Sequence, residues 1–94
     1  MPTRILIPTP LRVYVDKQDV VEAEGGTVGE LLANMTARYS DLRKHLYNDE
    51  GKLRSFVAIY LNDDDIRFLE REATPVKDGD TVSIIPSVAG GVGS

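Results

Sequence analysis

The chain has no cysteine and a single histidine among its 94 residues. The first absence excludes a disulfide framework, a thiolate zinc site and a thiol nucleophile. The second leaves His45 without an imidazole partner, so a surface or capping role is expected of it rather than metal ligation. No glycine-rich phosphate loop occurs, and with no paired histidines a stand-alone enzyme is not expected. Nowhere do eighteen apolar residues run together, and Met1-Pro2-Thr3-Arg4 lacks the apolar stretch of a signal peptide, which leads to the expectation of a cytosolic home. Cations are also in deficit. Eleven Lys and Arg against fifteen Asp and Glu give a net charge of -4, which disfavours nucleic acid and suits a basic protein partner. An apolar fraction of 41 % and a charged fraction of 28 % are ordinary for a soluble globular protein. A chain of this length buries about 60 to 65 % of its unfolded surface, enough for one core and no second domain.

What is present divides into short β-prone segments around one helix. Arg4-Ile5-Leu6-Ile7 reads as a strand stopped by Pro8-Thr9-Pro10. Leu11 to Val15 reads as a second β-prone segment that resumes at Val20 to Glu24, with Asp16 to Asp19 as the turn, and strands so close in sequence are expected to pair as an antiparallel hairpin. Thr27 and Glu30 form a capping box, and Val28, Leu31, Leu32, Met35 and Tyr39 follow on one helical stripe that must lie on a sheet. Ser40 is placed to cap a short second helix with Leu42 and Leu46 inward. The strand Phe56 to Leu61 is apolar on both faces, Val57, Ile59 and Leu61 on one and Phe56, Ala58 and Tyr60 on the other. Either it is buried on both sides, or the second face is a docking patch left open by a two-layer fold; the patch is the favoured reading. Asn62 to Asp65 reads as a solvated turn, since the alternating ligands, central glycine and terminal glutamate of a calcium loop are missing. Ile66-Arg67-Phe68 reads as a short strand, Asp78-Gly79 as a tight turn, and Thr81 to Ile85 as the last strand, with Val82 and Ile84 inward and Ile85 positioned to extend the patch.

After Pro86 the chain becomes Ser87-Val88-Ala89-Gly90-Gly91-Val92-Gly93-Ser94. A glycine pair near a terminus is commonly slack, and it gains meaning only from the fold that carries it. The order of hairpin, amphipathic helix, strand, short strand and final strand gives an α+β fold of the β-grasp, ubiquitin-like type: a mixed sheet with one main helix on one face. Residues 1–88 are expected to form the domain and residues 89–94 a flexible tail.

On that layout the chain resembles the ubiquitin-like sulfur carriers of the MoaD and ThiS superfamily, most closely those of the CysO type from actinobacterial cysteine synthesis. The matching residues are Ile7-Pro8-Thr9, Leu11-Arg12, Phe56-Val57, Ile59-Tyr60, Asn62-Asp63, Asp65, Arg67-Phe68, Asp78-Gly79-Asp80, Pro86, and Val88 to Gly91. The resemblance implies that the reactive group is the carboxylate of Gly91, with Gly90 beside it. It implies that a ubiquitin-activating-type enzyme, using ATP and magnesium, adenylates that carboxylate, and that a sulfur donor converts it to a thiocarboxylate. The carrier itself binds no metal or cofactor and acts as a cosubstrate. The implied partners are the adenylating enzyme, a sulfur-accepting enzyme of cysteine-synthase type, and a JAMM-type metalloprotease that removes Val92-Gly93-Ser94. Molybdopterin, thiamin and other thio-metabolite pathways are alternatives, as are a ubiquitin-like modifier and a non-covalent binding module. Phe56, Ala58, Tyr60, Ile85, Val88 and Ala89 are the expected partner-binding residues.

Overall fold

A computed structural model describes residues 2–55 and 57–86. Phe56 and the tail from Ser87 onward, with Val88, Ala89, Gly90 and Gly91, lie outside the described residues, as does Met1. Five strands form one mixed sheet: β1 (Thr3–Leu6), β2 (Val20–Ala23), β3 (Val57–Leu61), β4 (Asp64–Asp65) and β5 (Thr81–Pro86). Their order is β2-β1-β5-β3-β4, with β1 and β5 parallel at the centre and the other neighbours antiparallel. Two helices, α1 (Val28–Arg38) and α2 (Ser40–Leu46), follow β2.

The helix stripe behaves as its spacing requires. Val28, Leu31, Leu32 and Met35 are fully buried with Ile5, Val82, Ile84 and Ile59 from the inward face of the sheet, and Tyr39 packs against this core half-buried. The start of α1 is fixed by its cap. The Glu30 backbone N–H donates to Thr27 Oγ1 at 3.2 Å, while Glu30 Oε1 accepts from the Gly26 N–H at 2.8 Å. The reciprocal arm of the box therefore reaches one residue before the N-cap. Just upstream, a Cβ on Gly25 would stand 2.7 Å from the Leu31 backbone nitrogen, so this close approach of loop and helix demands glycine.

Several sequence expectations are corrected. Leu11 to Val15 belongs to a 3-10 helix (Thr9–Val15), and the hairpin partner of β1 is β2. The alternation of Leu11, Val13 and Val15 fits a strand, but Leu11 and Val15 also stand one helical turn apart, and it is they that are buried while Val13 is 63 % exposed. Pro10 has no N–H to give a ladder, and Asp16 and Lys17, both at positive φ, end the turn. Ile66–Phe68 is likewise a 3-10 turn rather than a strand. Asp65 captures it: its Oδ1 accepts from the Arg67 N–H at 2.9 Å and its Oδ2 from Arg67 Nη2 at 2.7 Å, so the local side chain outcompetes a further ladder rung. Finally, α2 begins at Ser40 itself, with Tyr39 as N-cap and no side-chain capping bond.

Of the expected solvated turn Asn62 to Asp65, only Asn62 and Asp63 turn; Asp64 and Asp65 pair with Leu61 and Tyr60 as β4, and Asp65 is buried. Leu42 and Leu46 are buried. Asn62, at φ 57, turns the chain between β3 and β4 while its Oδ1 accepts from the Thr81 N–H at 3.1 Å. Gly79, at φ 89, sits in a turn closed by the Asp80 N–H donating to Lys77 O at 3.0 Å. Before it, a further 3-10 turn at Arg71–Ala73 packs on α1.

Candidate functional site

With both helices on one side, alternation along the strands leaves the other side of the sheet uncovered by any helix. The strand register brings its residues together. Ala58 pairs with Ile85 and Tyr60 with Ser83 across β3 and β5, and Leu6 of β1 stands beside Ser83 on the other flank. Ala58 and Tyr60 are half-buried, Ile85 is 46 % exposed and Leu6 38 %. Tyr60, Ser83 and Ile85 line a shallow depression with Asn62 and Asp63. The structure thus unites Ala58, Tyr60 and Ile85 on one open, largely apolar face. Leu6 was not singled out from sequence, although the alternation Ile5 inward and Leu6 outward carries the signal.

The face adjoins the point where the tail begins. Pro86 ends β5 paired with Val57, at the far end of the β3–β5 ladder from the Asn62 turn. A small concavity there is lined by Leu11, Lys44, His45, Arg54, Val57 and Pro86. His45 departs from its expected surface or capping role. Its ring stacks on Tyr14 with centroids 4.2 Å apart and planes 26° apart, and its Nε2 is buried without a hydrogen-bond partner among the described residues. An aromatic neighbour 31 positions away in sequence left no local signal.

Charge at the other end of the patch is locally compensated. The Arg67 guanidinium, bonded through its side chain to Asp65, holds that carboxyl below the usual carboxylate range. The Asp63-Asp64-Asp65 run therefore offers no cage: Asp65 is committed to Arg67 and Asn62 to Thr81. Among the described residues no group of three acidic or imidazole side chains is placed to hold a metal ion, and no helix is long and apolar enough to cross a membrane.

A two-layer α+β sheet in this strand order, with an open apolar face and a glycine-paired tail leaving its central strand, defines a ubiquitin-like β-grasp domain. The ThiS family profile matches residues 5–91, and the chain belongs to the ThiS family. It is similar to the sulfur carrier protein CysO of Mycobacterium tuberculosis, 43 % identical over 93 residues that cover 97 % of this chain and 100 % of that one. Among solved structures it is similar to the one described as the Amycolatopsis orientalis BexX/CysO complex, with a TM-score of 0.85, 40 % identity, and coverage of 95 % of this chain and 99 % of that one. It also resembles small archaeal modifier protein 3 of Haloferax volcanii, 37 % identical over 68 residues covering 72 % of this chain and 73 % of that one. The full-length likeness is to sulfur carriers of the CysO type, and these relatives are carrier or modifier proteins by name.

Proposed function

We propose that this chain is a sulfur carrier whose working terminus is Gly91. The observation that carries the proposal is the family match, which runs through the domain and stops at residue 91, the second glycine of the pair. In this reading Val92-Gly93-Ser94 are first removed by a JAMM-type metalloprotease, because an amide at Gly91 offers no carboxylate. One oxygen of the freed carboxylate then attacks the α-phosphorus of ATP on an adenylating enzyme, with magnesium there, and pyrophosphate leaves. A hydrosulfide equivalent attacks the acyl carbon, the AMP–carbon bond breaks, and Gly91 carries a thiocarboxylate. Adenylation matters because a carboxylate oxygen is a poor leaving group and AMP a good one. The chain's own contribution is geometric. Gly90 and Gly91 have no Cβ to obstruct a narrow channel, and the five residues that follow Pro86, up to Gly91, reach at most ~17 Å, which sets how closely the domain must dock.

Docking is assigned to the open face of Ala58, Tyr60 and Ile85, extended by Leu6 and completed by Phe56, Val88 and Ala89. A CysO chain solved together with BexX supports the idea that such domains form specific complexes. The sulfur acceptor is read as a cysteine-synthase-type enzyme on the strength of the CysO similarity. A second reading, a protein modifier whose Gly91 ends on a lysine, is favoured by the archaeal modifier resemblance. Intact-mass measurement of the protein from its native cells separates them. The carrier reading expects a species ending at Gly91 with one oxygen replaced by sulfur. Protein found only as high-mass conjugates through Gly91 supports the modifier, and protein that always retains Ser94 in cells using the pathway removes both.

A further inference from the structure

On the helix-bearing side of the sheet, a groove of about 510 Å³ runs between the loop preceding β3 and the two 3-10 turns that follow β4. Its floor is aliphatic, built from Leu53, Val57, Ile59 and Ile66. Its rim carries Lys52, Arg54, Arg67 and Arg71 against one acid, Glu72. The chain as a whole has fifteen acids to eleven Lys and Arg, so a rim with four cations and one acid inverts the balance of the protein. Arg67 is engaged by Asp65 and the Arg54 Nε by the Lys44 carbonyl, whereas Lys52 and Arg71 have no ion-pair partner among the described residues. Arg71 also sits at φ 55, a left-handed conformation that a long side chain adopts at a cost and that glycine adopts freely. A strained arginine kept at the rim of a basic groove is hard to account for by stability alone.

We propose that this groove binds an extended acidic segment of a partner protein that lays one aliphatic side chain against Leu53, the half-buried member of the aliphatic lining. Charge complementarity selects an acidic ligand, and the floor selects a peptide over a nucleic acid, because no aromatic ring among the described residues lines the groove to stack a base. The site lies on the opposite side of β3 from Tyr60 and Ile85, so it can be filled while the open face is engaged. This goes beyond the carrier reading and does not depend on it.

The test uses the full chain and a fluorescein-labelled decapeptide of Asp, Glu and Leu, with an Asn, Gln and Leu peptide as control. Binding is followed by anisotropy, and its location by amide chemical shifts. The acidic peptide is expected to shift Leu53, Ser55, Ile66 and Glu72 and to leave Ala58 and Ile85 in place. K52E combined with R71E should weaken it by about tenfold or more, the scale of one lost charge-assisted contact. Arg71→Gly gives the sharper reading, since it relieves the left-handed backbone while deleting the charge: melting temperature should rise as affinity falls. Equal binding of the control peptide, shifts confined to the Ile85 face, equal or tighter binding of a single-stranded oligonucleotide in the groove, or unchanged affinity in Arg71→Gly would each overturn the proposal.

Discussion

The two faces of the central strands are built from similar residue types and end in opposite states. On the inner face Ile5, Val82, Ile84, Val57 and Ile59 join the α1 stripe in one core and are buried to 8 % exposure or less. On the outer face Leu6, Ile85, Ala58 and Tyr60 meet no helix, and the first two remain 38 % and 46 % exposed. The register alone assigns each residue, because neighbours in sequence such as Ile84 and Ile85 point to opposite sides. The difference teaches that apolar content in β3 and β5 serves two purposes. Inward residues hold the domain together, whereas outward ones cost solvation in isolation, which is the signature expected of the proposed docking face.

The strongest way to test that division is to cut both faces alike. Ile59→Ala removes fully buried methyl groups from the core and should cost about 2–5 kcal/mol, read from urea unfolding. Ile85→Asp changes as much chemistry on the other face and should cost no more than about 1 kcal/mol, while reducing affinity for the adenylating enzyme by about tenfold or more. Comparable destabilisation by both variants would mean that the outer face is core after all. Ile85 is a cleaner probe than Tyr60, which stands opposite Asp65 on β4, so that a carboxylate at position 60 would repel Asp65 as well as spoil the face.

The sequence made one of these faces far more legible than the other. The α1 stripe repeats at helical spacing and starts at a capping signal, so Val28, Leu31, Leu32 and Met35 follow from it, whereas Tyr39 stands at the C-cap half-buried; Ile59 and Val82 follow from alternation. The pairing of Ala58 with Ile85 was expected only if β3 and β5 were neighbours, because a sheet's strand order lies in contacts distant along the chain; the register supplied that condition. The two misread strands share one cause. At Leu11 to Val15 and at Ile66 to Phe68, local devices overruled a β-like composition: a proline without a donor in the first case, an aspartate capturing the backbone in the second. The stacking of His45 on Tyr14 and the basic groove beside Arg71 join segments too far apart for any spacing to announce.

The smallest expected effect lies at the edge where the two faces meet, and it concerns pH. The buried members of the inner face carry no ionisable side chain among the described residues, so that face should hold equally over the acid range. Asp65 is different. Hydrogen bonds from the Arg67 side chain and backbone, with the guanidinium charge, lower its pKa against a smaller opposing effect of desolvation. A carboxylate whose folded pKa is depressed adds stability that is present above its unfolded pKa and is lost as pH falls through the folded value. Acid should therefore loosen the Ile66–Phe68 turn first, seen as faster hydrogen exchange at Arg67 and Leu69, whose N–H groups are bonded to Asp65 Oδ1 and to the Ile66 carbonyl. In Asp65→Asn the side-chain oxygen can still accept from the Arg67 N–H, but the ion pair is gone, so exchange should be modestly faster at neutral pH and insensitive to acid. An identical acid midpoint at these amides in both proteins would show that the turn is held by the packing of Ile66 and not by the Asp65 charge.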